Sequence, residues 1–319
     1  MQNQRRGLLK LLLGAAAGFG SLSSWAQTWP DKAIKLILGY TTGGASDATA
    51  RIINRPLEQI LKQSVVTDYK PGAGASIGAE FVARAAPDGY TIGLTDTGPL
   101  CIMPHLRKVS YDPLTSFTPL SYICTTGLVL IVNPELPVNN IQELIAMAKK
   151  RPGSLSYASS GVGSVHHLAG ELFKARAGVS IVHIPYRGAG PALTDLVGGQ
   201  IPVMFATIGP ALSMISAGKA RALGVTSLTR SASLPNVPTI AERGLNGYEA
   251  VLRFYVMGPA KMPQLITTKL QSDFKTVVTD STVIAELKKL GNDEIGYKSP
   301  SEIEALIQDD YRKWGNLIT

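Results

Sequence analysis

The strongest constraint on this chain is a repeated unit: a short apolar run, a loop rich in glycine and hydroxyls, then a stretch with helical periodicity. Ile34 to Leu38 is the first such run, and it enters the loop Tyr40-Thr41-Thr42-Gly43-Gly44-Ala45-Ser46-Asp47. Beyond the loop, Ala50, Ile53, Leu57, Ile60 and Leu61 share one helical face up to about Lys62. Val65 to Tyr69, the loop Pro71-Gly72-Ala73-Gly74-Ala75 and a helix to about Ala85 repeat the unit. The turn Pro87-Asp88-Gly89-Tyr90 then leads into a third strand, Thr91 to Thr95. Strands separated by helices pair in parallel through right-handed crossovers, so the fold class is α/β.

The second half carries the same signal. Leu128 to Val132 reads as a strand, and Asn140 caps a helix from Ile141 to Lys150 with Glu143 placed to complete a capping box. A short strand at Ser156 to Ser159 enters Gly161-Val162-Gly163-Ser164 and a helix to about Ala177. Val182 to Ile184, Val203 to Ala206 and Leu223 to Thr226 supply further strands, and the tail from Pro263 is helical. A chain of 319 residues exceeds what one core serves well, so two domains are expected.

The first 26 residues have the make-up of an export signal. Arg5, Arg6 and Lys10 are the basic region, Leu11 to Phe19 the apolar core, and Ser24-Trp25-Ala26 a small-x-small cleavage site. The apolar stretch is well short of the ~20 residues that span a bilayer. Arg5-Arg6-Gly7 also fits a twin-arginine signal, so both the Sec and the twin-arginine routes stay open. Removing this segment leaves 28 basic against 23 acidic residues, a net +5 in place of +8. Those charges are scattered and form no run that would grip nucleic acid. Cys101 and Cys124 are too far apart for a CxxC motif and are open to either a disulfide or two free thiols.

Two loops carry the candidate chemistry: Thr41, Thr42, Gly43, Gly44, Ser46 in the first half, and Ser159, Gly161, Gly163, Ser164 in the second. Each follows a strand and opens a helix, whose free N–H groups and partial positive charge favour an anion. Asp47 is expected to be a structural N-cap, since its own charge repels an anionic ligand. Catalytic signatures fail when spelled out: both G-x-G runs miss the last glycine of a dinucleotide fingerprint, no G-x-S-x-G elbow surrounds Ser159, Ser160 or Ser164, and Gly218-Lys219 lacks the upstream glycine of a Walker loop. His166, His167 and Glu171, with His183 or His105, lack a convincing metal spacing; no metal, cofactor or catalytic residue is expected. The rival readings are an exported enzyme using His166 or His167 as general base, and a sensor subunit sharing the same binding site.

Several motifs then occur in order: Trp29-Pro30-Asp31-Lys32, Gly43-Gly44-x-x-Asp47, Pro71-Gly72-Ala73-Gly74, and Ala86-Pro87-Asp88-Gly89-Tyr90-Thr91. Tyr111-Asp112-Pro113, His167-Leu168-Ala169-Gly170-Glu171-Leu172, Pro185-Tyr186-Arg187-Gly188 and Leu234-Pro235-Asn236-Val237-Pro238-Thr239 follow. Over nearly the whole mature chain this resembles the Bug proteins, extracytoplasmic solute receptors of tripartite tricarboxylate transporters. The resemblance implies a two-lobed periplasmic binding protein, type II-like, each lobe a mainly parallel sheet flanked by helices. It implies two crossings between lobes, near residues 127 and 249. Lobe 1 is then 27–127 plus 249–319, and lobe 2 is 128–248.

The resemblance also implies that the loops at 41–47 and 159–164 grip one ligand carboxylate, partly through water, and that the strand end from Thr95 to Thr97 faces the cleft, with Thr95 and Thr97 as the contacts. His166 and Thr207 are expected in the cleft as well. The implied partners are a small carboxylate ligand and the membrane permease subunits, with the receptor itself monomeric. Many relatives carry prolines where Thr41 and Thr42 stand, and an aspartate where Ala206 stands, so a ligand ammonium has lost a partner here. Arg253 is expected to meet a second carboxylate bidentately, with Phe254 as an apolar wall, which makes a dicarboxylate, aromatic or not, the preferred ligand.

Overall fold

In the computed structural model, residues 29–318 are described, and the compact body begins at Lys32. The export-signal segment lies outside the described residues. The first lobe opens with β1 (Ile34–Leu38), α1 (Ala45–Leu61), β2 (Val65–Tyr69), α2 (Ser76–Ala83) and β3 (Thr91–Asp96). β1 pairs in parallel with β2 on one side and β3 on the other, as two successive crossovers require. A π-turn, Gly98–Ile102, runs on into the short α3 (Met103–Leu106).

The next strand is longer than its apolar core suggested: β4 spans Phe117–Val132. The second lobe continues with α4 (Ile141–Lys150), β5 (Ser156–Ser159), α5 (Val165–Ala177), β6 (Val182–Pro185), α6 (Ala189–Val197), β7 (Val203–Thr207), α7 (Ile208–Ser216) and β8 (Arg221–Val225). The chain returns as β9 (Val251–Pro259), α8 (Gln264–Thr279), α9 (Ser281–Lys289), β10 (Asn292–Ile295) and α10 (Pro300–Ile318).

β4 is the strand that joins the lobes. Over Phe117–Gly127 it pairs with β9, and β10 pairs with it at Cys124–Thr126. Over Leu128–Val132 its partners change to β7 and β8. All of these pairings are antiparallel, so the sheet is more mixed than the βαβ series implies. Beyond β4 the parallel pattern resumes, with β5 between β7 and β6. The changeover is tied down by Thr226, whose hydroxyl donates to the Ala250 carbonyl at 2.6 Å and accepts the Leu128 N–H at 2.7 Å.

Each lobe buries its own apolar centre. In the second, Val129, Ile131, Met204, Leu196 and Ile208 form one cluster under α6 and α7. In the first, Leu36, Ile37, Phe274 and Trp314 are all fully buried, with α8 against α1 and β4. The α4 start follows its sequence signal: Asn140 Oδ1 accepts the Glu143 N–H at 2.9 Å, and Glu143 reaches back to the Asn139 N–H at 2.7 Å. Cys101 and Cys124 are both free and buried, which resolves the open question about a disulfide.

Candidate functional site

The first wall is the start of α1. Gly43 takes a left-handed φ of +82°, and Gly44 occupies the N-cap position with no side-chain cap. Asp47 is therefore not the N-cap: it is the third residue of α1, and its carboxylate reaches back to the Gly43 N–H at 3.0 Å. The Tyr69 hydroxyl at 2.7 Å and Arg51 Nε at 3.2 Å complete its shell. Burial pushes this carboxyl up, but the Gly43 N–H, Tyr69 and Arg51 together hold it below the usual aspartate value. The first helical bond is Ala48 N–H to Gly44 O, so the N–H groups of Gly44, Ala45 and Ser46 have no acceptor within the helix.

The second wall is the start of α5. Ser164 is the N-cap, accepting the His167 N–H at 3.2 Å and donating to Gly161 O at 2.6 Å. Ser159 Oγ accepts the Gly161 N–H at 3.0 Å and sits 2.6 Å from His183 Nε2. The Gly163 N–H is directed to His167 Nδ1 at 3.3 Å, and the Ser164 N–H to Gly161 O at 3.2 Å. The loop thus uses these donors on itself, as a scaffold for two side chains that point elsewhere. Ser160 and His166, 3% and 5% exposed, meet with Oγ to Nδ1 at 2.6 Å.

Between these walls lies a small cavity of about 20 Å³ with mostly buried walls, lined by Tyr40, Gly44, Ala45, Ser46, Asp96, Ser160, His166, Ala189, Leu252 and Phe254. It has room for about one water molecule. His166 Nε2 is buried on this wall with no hydrogen-bond partner. Burial lowers the His166 pKa to about 4, so the ring is neutral at physiological pH. In the tautomer in which Nδ1 accepts from Ser160, Nε2 carries the proton and is an uncharged donor facing the cavity. Asp96, 2% exposed, accepts on Oδ1 from the Gly98 N–H at 2.7 Å and the Tyr40 hydroxyl at a long 3.4 Å. Burial pushes its carboxyl up to about 7, and the two donors offset only part of that.

Two seams hold the lobes together around this cavity. At one, Thr41 donates its N–H to Arg187 O at 3.4 Å, and a Cβ on Gly190 would stand 2.5 Å from the Thr42 carbonyl. At the other, a Cβ on Gly74 would overlap the Val162 carbonyl, and one on Gly163 would overlap the Met103 sulfur. Backbones approach this closely only where side chains are missing.

Of the residues expected at the site, Gly44, Ser46, His166 and Phe254 come together on the cavity wall. Thr41, Thr42 and Gly43 face a separate, solvent-open groove of about 730 Å³, whose other wall includes Pro191, Thr194, Pro210, Met214 and Lys219. The groove is larger, but the buried polar atoms converge on the cavity, and the cavity is the candidate site. Ser159, Gly161, Gly163 and Ser164 scaffold the second wall without lining it. Thr207 Oγ1 is buried at the start of α7 without a partner and away from the cavity.

Within the strand end expected to face the cleft, Thr95 to Thr97, the two threonines do not line the cavity. Thr95 borders a void inside the first lobe, and Thr97 Oγ1 accepts the Arg253 N–H at 3.1 Å; the residue on the cavity is Asp96. Arg253 likewise points away, because side chains alternate across a strand and its neighbours Leu252 and Phe254 take the cavity face. Its Nη1 lies 2.6 Å from both carboxylate oxygens of Asp310 on α10, with the two side chains 18% and 7% exposed. The guanidinium is thus engaged by a protein carboxylate and does not reach the cavity. Tyr40, Ala189 and Leu252 were not anticipated, while Ala45, Asp96 and Ser160 lie inside the expected loops and strand end without having been singled out; Asp96 pairs with Phe254 across β3 and β9.

The histidines weighed as metal ligands have other roles. His183 stacks on His167, centroids 4.2 Å apart, and on Tyr157 at 5.0 Å. Tyr157 in turn donates to Glu171 at 2.7 Å, and Glu171 pairs with Lys174. His105 Nε2 lies 2.9 Å from Tyr311 O. Among the described residues no group of three or more His, Cys, Asp or Glu is arranged to hold a metal, and no helix is long and apolar enough to cross a membrane.

With this geometry established, comparison with known proteins identifies the family. Residues 49–319 match the family described as "Tripartite tricarboxylate transporter family receptor". The "UPF0065 protein in tcbD-tcbE intergenic region" of Pseudomonas sp. strain P51 is 36% identical over 98% of this chain and 94% of its own length. BugT of Bordetella pertussis is 33% identical over 95% of this chain and 93% of its own. Among solved structures, R. palustris Rpa4515 with adipate superposes with a TM-score of 0.87 at 33% identity, covering 90% of this chain and 96% of that one. The fold is that of the periplasmic binding proteins, and the chain belongs to the tripartite tricarboxylate transporter receptor family, whose members are solute-binding receptors and not enzymes.

Proposed function

We propose that this receptor captures a small organic carboxylate between its lobes and passes it to the permease of a tripartite tricarboxylate-type transporter. The observation that carries this reading is the donor set of the cavity: N–H groups at the start of α1, the Ser46 hydroxyl and neutral His166, whose donor tautomer is set by the Ser160 hydroxyl, with no lysine or arginine among the described residues of the wall. An anion enclosed by fixed, uncharged donors in a water-poor space is held by charge-assisted hydrogen bonds without a counter-ion. Relatives support the ligand class: Rpa4515 was solved with adipate, and the R. palustris protein MatC, 26% identical, with bound malate. Both are dicarboxylates, which favours a diacid here too, with Phe254 as the apolar wall.

The cavity of about 20 Å³ is too small for any such acid. Entry therefore requires the lobes to part, with the motion absorbed where the chain crosses between them, in β4 near Gly127 and in the return between Thr226 and Val251. The proposed lobes are 27–127 with 249–319, and 128–248, after export directed by residues 1–26. The receptor acts as a monomer in this scheme.

The test is a thermal-shift and calorimetric screen of mono- and dicarboxylates, beside mass spectrometry of whatever co-purifies. A ligand present at ~100 times its Kd adds roughly 2.7 kcal/mol and raises Tm. A broad screen with neither shift nor heat would overturn the reading.

A further inference from the structure

We infer that Asp96 acts as a neutral acid at this site, donating from Oδ2 to the bound carboxylate, so that ligand binding takes up one proton. The inference rests on the carboxylate reading above and adds a specificity determinant to it.

Three observations carry it. Asp96 lines the cavity together with His166, pairs across the sheet with Phe254, and is almost wholly buried. Its two hydrogen bonds both fall on Oδ1, from Gly98 and Tyr40, so Oδ2 is the oxygen left for a proton and for the ligand. No cation faces it. The titratable groups around it are Tyr40 at the end of β1, His166 on α5, and Tyr111 and Cys101 behind it, whose own ionisation its charge opposes. From α1, Asp47 is turned to Gly43, Tyr69 and Arg51; from β9, Arg253 is turned to Asp310 of α10.

An anionic ligand beside an ionised Asp96 would put two like charges in one enclosed space. Carboxyls that close share a proton instead of both ionising. The balance is simple: Asp96 carboxylate, ligand carboxylate and one proton from solvent give a carboxylic acid hydrogen-bonded to a carboxylate. No covalent bond between protein and ligand forms or breaks. The ordinary carboxyl range would leave Asp96 ionised at neutral pH, but burial has already brought it to about 7, so the proton is gained at little expense.

The experiment is titration calorimetry with adipate and malate at pH 7.5, in buffers of different ionisation enthalpy. Uptake of about three quarters of a proton is expected at pH 7.5, rising toward one at higher pH, with Kd rising up to tenfold per pH unit above pH 7. In Asp96→Asn the amide carbonyl keeps the Gly98 N–H and the amide N–H replaces the acid donor. That variant should bind at least tenfold more tightly than wild type at pH 8, with no proton uptake. Asp96→Ala, lacking the donor, should bind about tenfold more weakly at pH 6. Binding without proton uptake in wild type overturns the inference while leaving the carboxylate reading intact. Uptake persisting in Asp96→Asn moves the proton to His166 and overturns it as well. Tight binding of aspartate, lost in Asp96→Asn, assigns Asp96 as the anion facing a ligand ammonium. If no carboxylate binds between pH 5 and 9, the functional reading itself fails, and this inference with it.

Discussion

Asp96→Asn should stabilise the ligand-free protein at alkaline pH, and the size of the effect follows from one buried carboxyl. In the unfolded chain this group has its ordinary value of 3.8; in the folded protein burial raises it to about 7. Between those two values the folded state holds a proton that the unfolded state has lost, so stability falls as pH rises. Below the lower value the aspartate carries no penalty, and above the upper one the full penalty is present. A shift of roughly three pH units is worth about 4 kcal/mol. This is an upper bound, because parting the lobes rehydrates the carboxylate and caps the cost at the free energy of opening. Asparagine is neutral throughout, so the difference between variant and wild type should be near zero at pH 4 and grow to about 4 kcal/mol at pH 8. For a chain of this size that is a Tm difference on the order of 10 °C. The assay is thermal or urea unfolding of both proteins at half-unit pH steps. Taking the difference removes titrations common to both. A difference that does not grow between pH 4 and 8, or a variant less stable than wild type at pH 8, would refute the reasoning.

Four further outcomes are expected. His166, lowered to about 4 by burial, loses stability in the opposite direction, as pH falls through the window from 6.5 to 4; His166→Asn should relieve roughly 3 kcal/mol of acid destabilisation, seen as a flatter acid limb of Tm against pH. Arg253→Ala should cost about 3–5 kcal/mol of stability by leaving Asp310 buried and unpaired, whatever acid is bound; a selective loss of diacid affinity at unchanged Tm would instead restore Arg253 to the site. Gly190→Ala puts a methyl 2.5 Å from the Thr42 carbonyl across the seam, so it should weaken ligand binding about tenfold or more and leave the ligand-bound radius of gyration by X-ray scattering at its open value. Cys101 and Cys124 should both react with a thiol reagent only on unfolding, and the mass under non-reducing conditions should show two free thiols.

How much of this was legible in the sequence depended on what each residue's environment demanded. β1, β2 and β3 announce themselves because apolar runs alternate with loops and periodic helices, and the α4 start because Asn140 and Glu143 form local bonds. β4 was legible only over Leu128–Val132, which is fully buried. Its first part carries Pro119, Ser121, Thr125 and Thr126 and two register shifts against β9, so its pattern is neither alternating nor continuously apolar. β10, Asn292–Ile295, is polar and short and has no strand signal; its pairing with β4 is a tertiary decision. On the strands the site was misread in part by parity. A strand presents every second residue to the cleft, and nothing local says which, so Thr95, Thr97 and Arg253 were expected beside Phe254, whereas Asp96 and Phe254 line the cavity. The glycine loops were recognised, but the use of their N–H groups was not. Asp47, Ser159 and His167 take up those donors at Gly43, Gly161 and Gly163, and the glycines serve close approach between lobes.

On the proposed carboxylate reading, Asp47 in the first wall and Asp96 on the cavity explain how a site for anions tolerates acidic residues. Asp47 is met by a backbone N–H, a hydroxyl and a guanidinium, so it stays ionised and its charge is neutralised locally by Arg51. Asp96 is met by one short N–H bond and one long hydroxyl bond, with no cation, so its charge is what burial resists. The same side chain is thus a fixed anion at one wall and a titrating acid at the other, and only the second changes with occupancy. An arginine on the wall would bind a carboxylate more strongly, but in the empty closed state it would be a buried unpaired charge, as Arg253 would be without Asp310. Neutral donors avoid that penalty in both states. They allow the lobes to open and close with the cavity empty, which a receptor that must release its ligand requires, and they leave Asp96 as the group whose proton registers whether an anion is present.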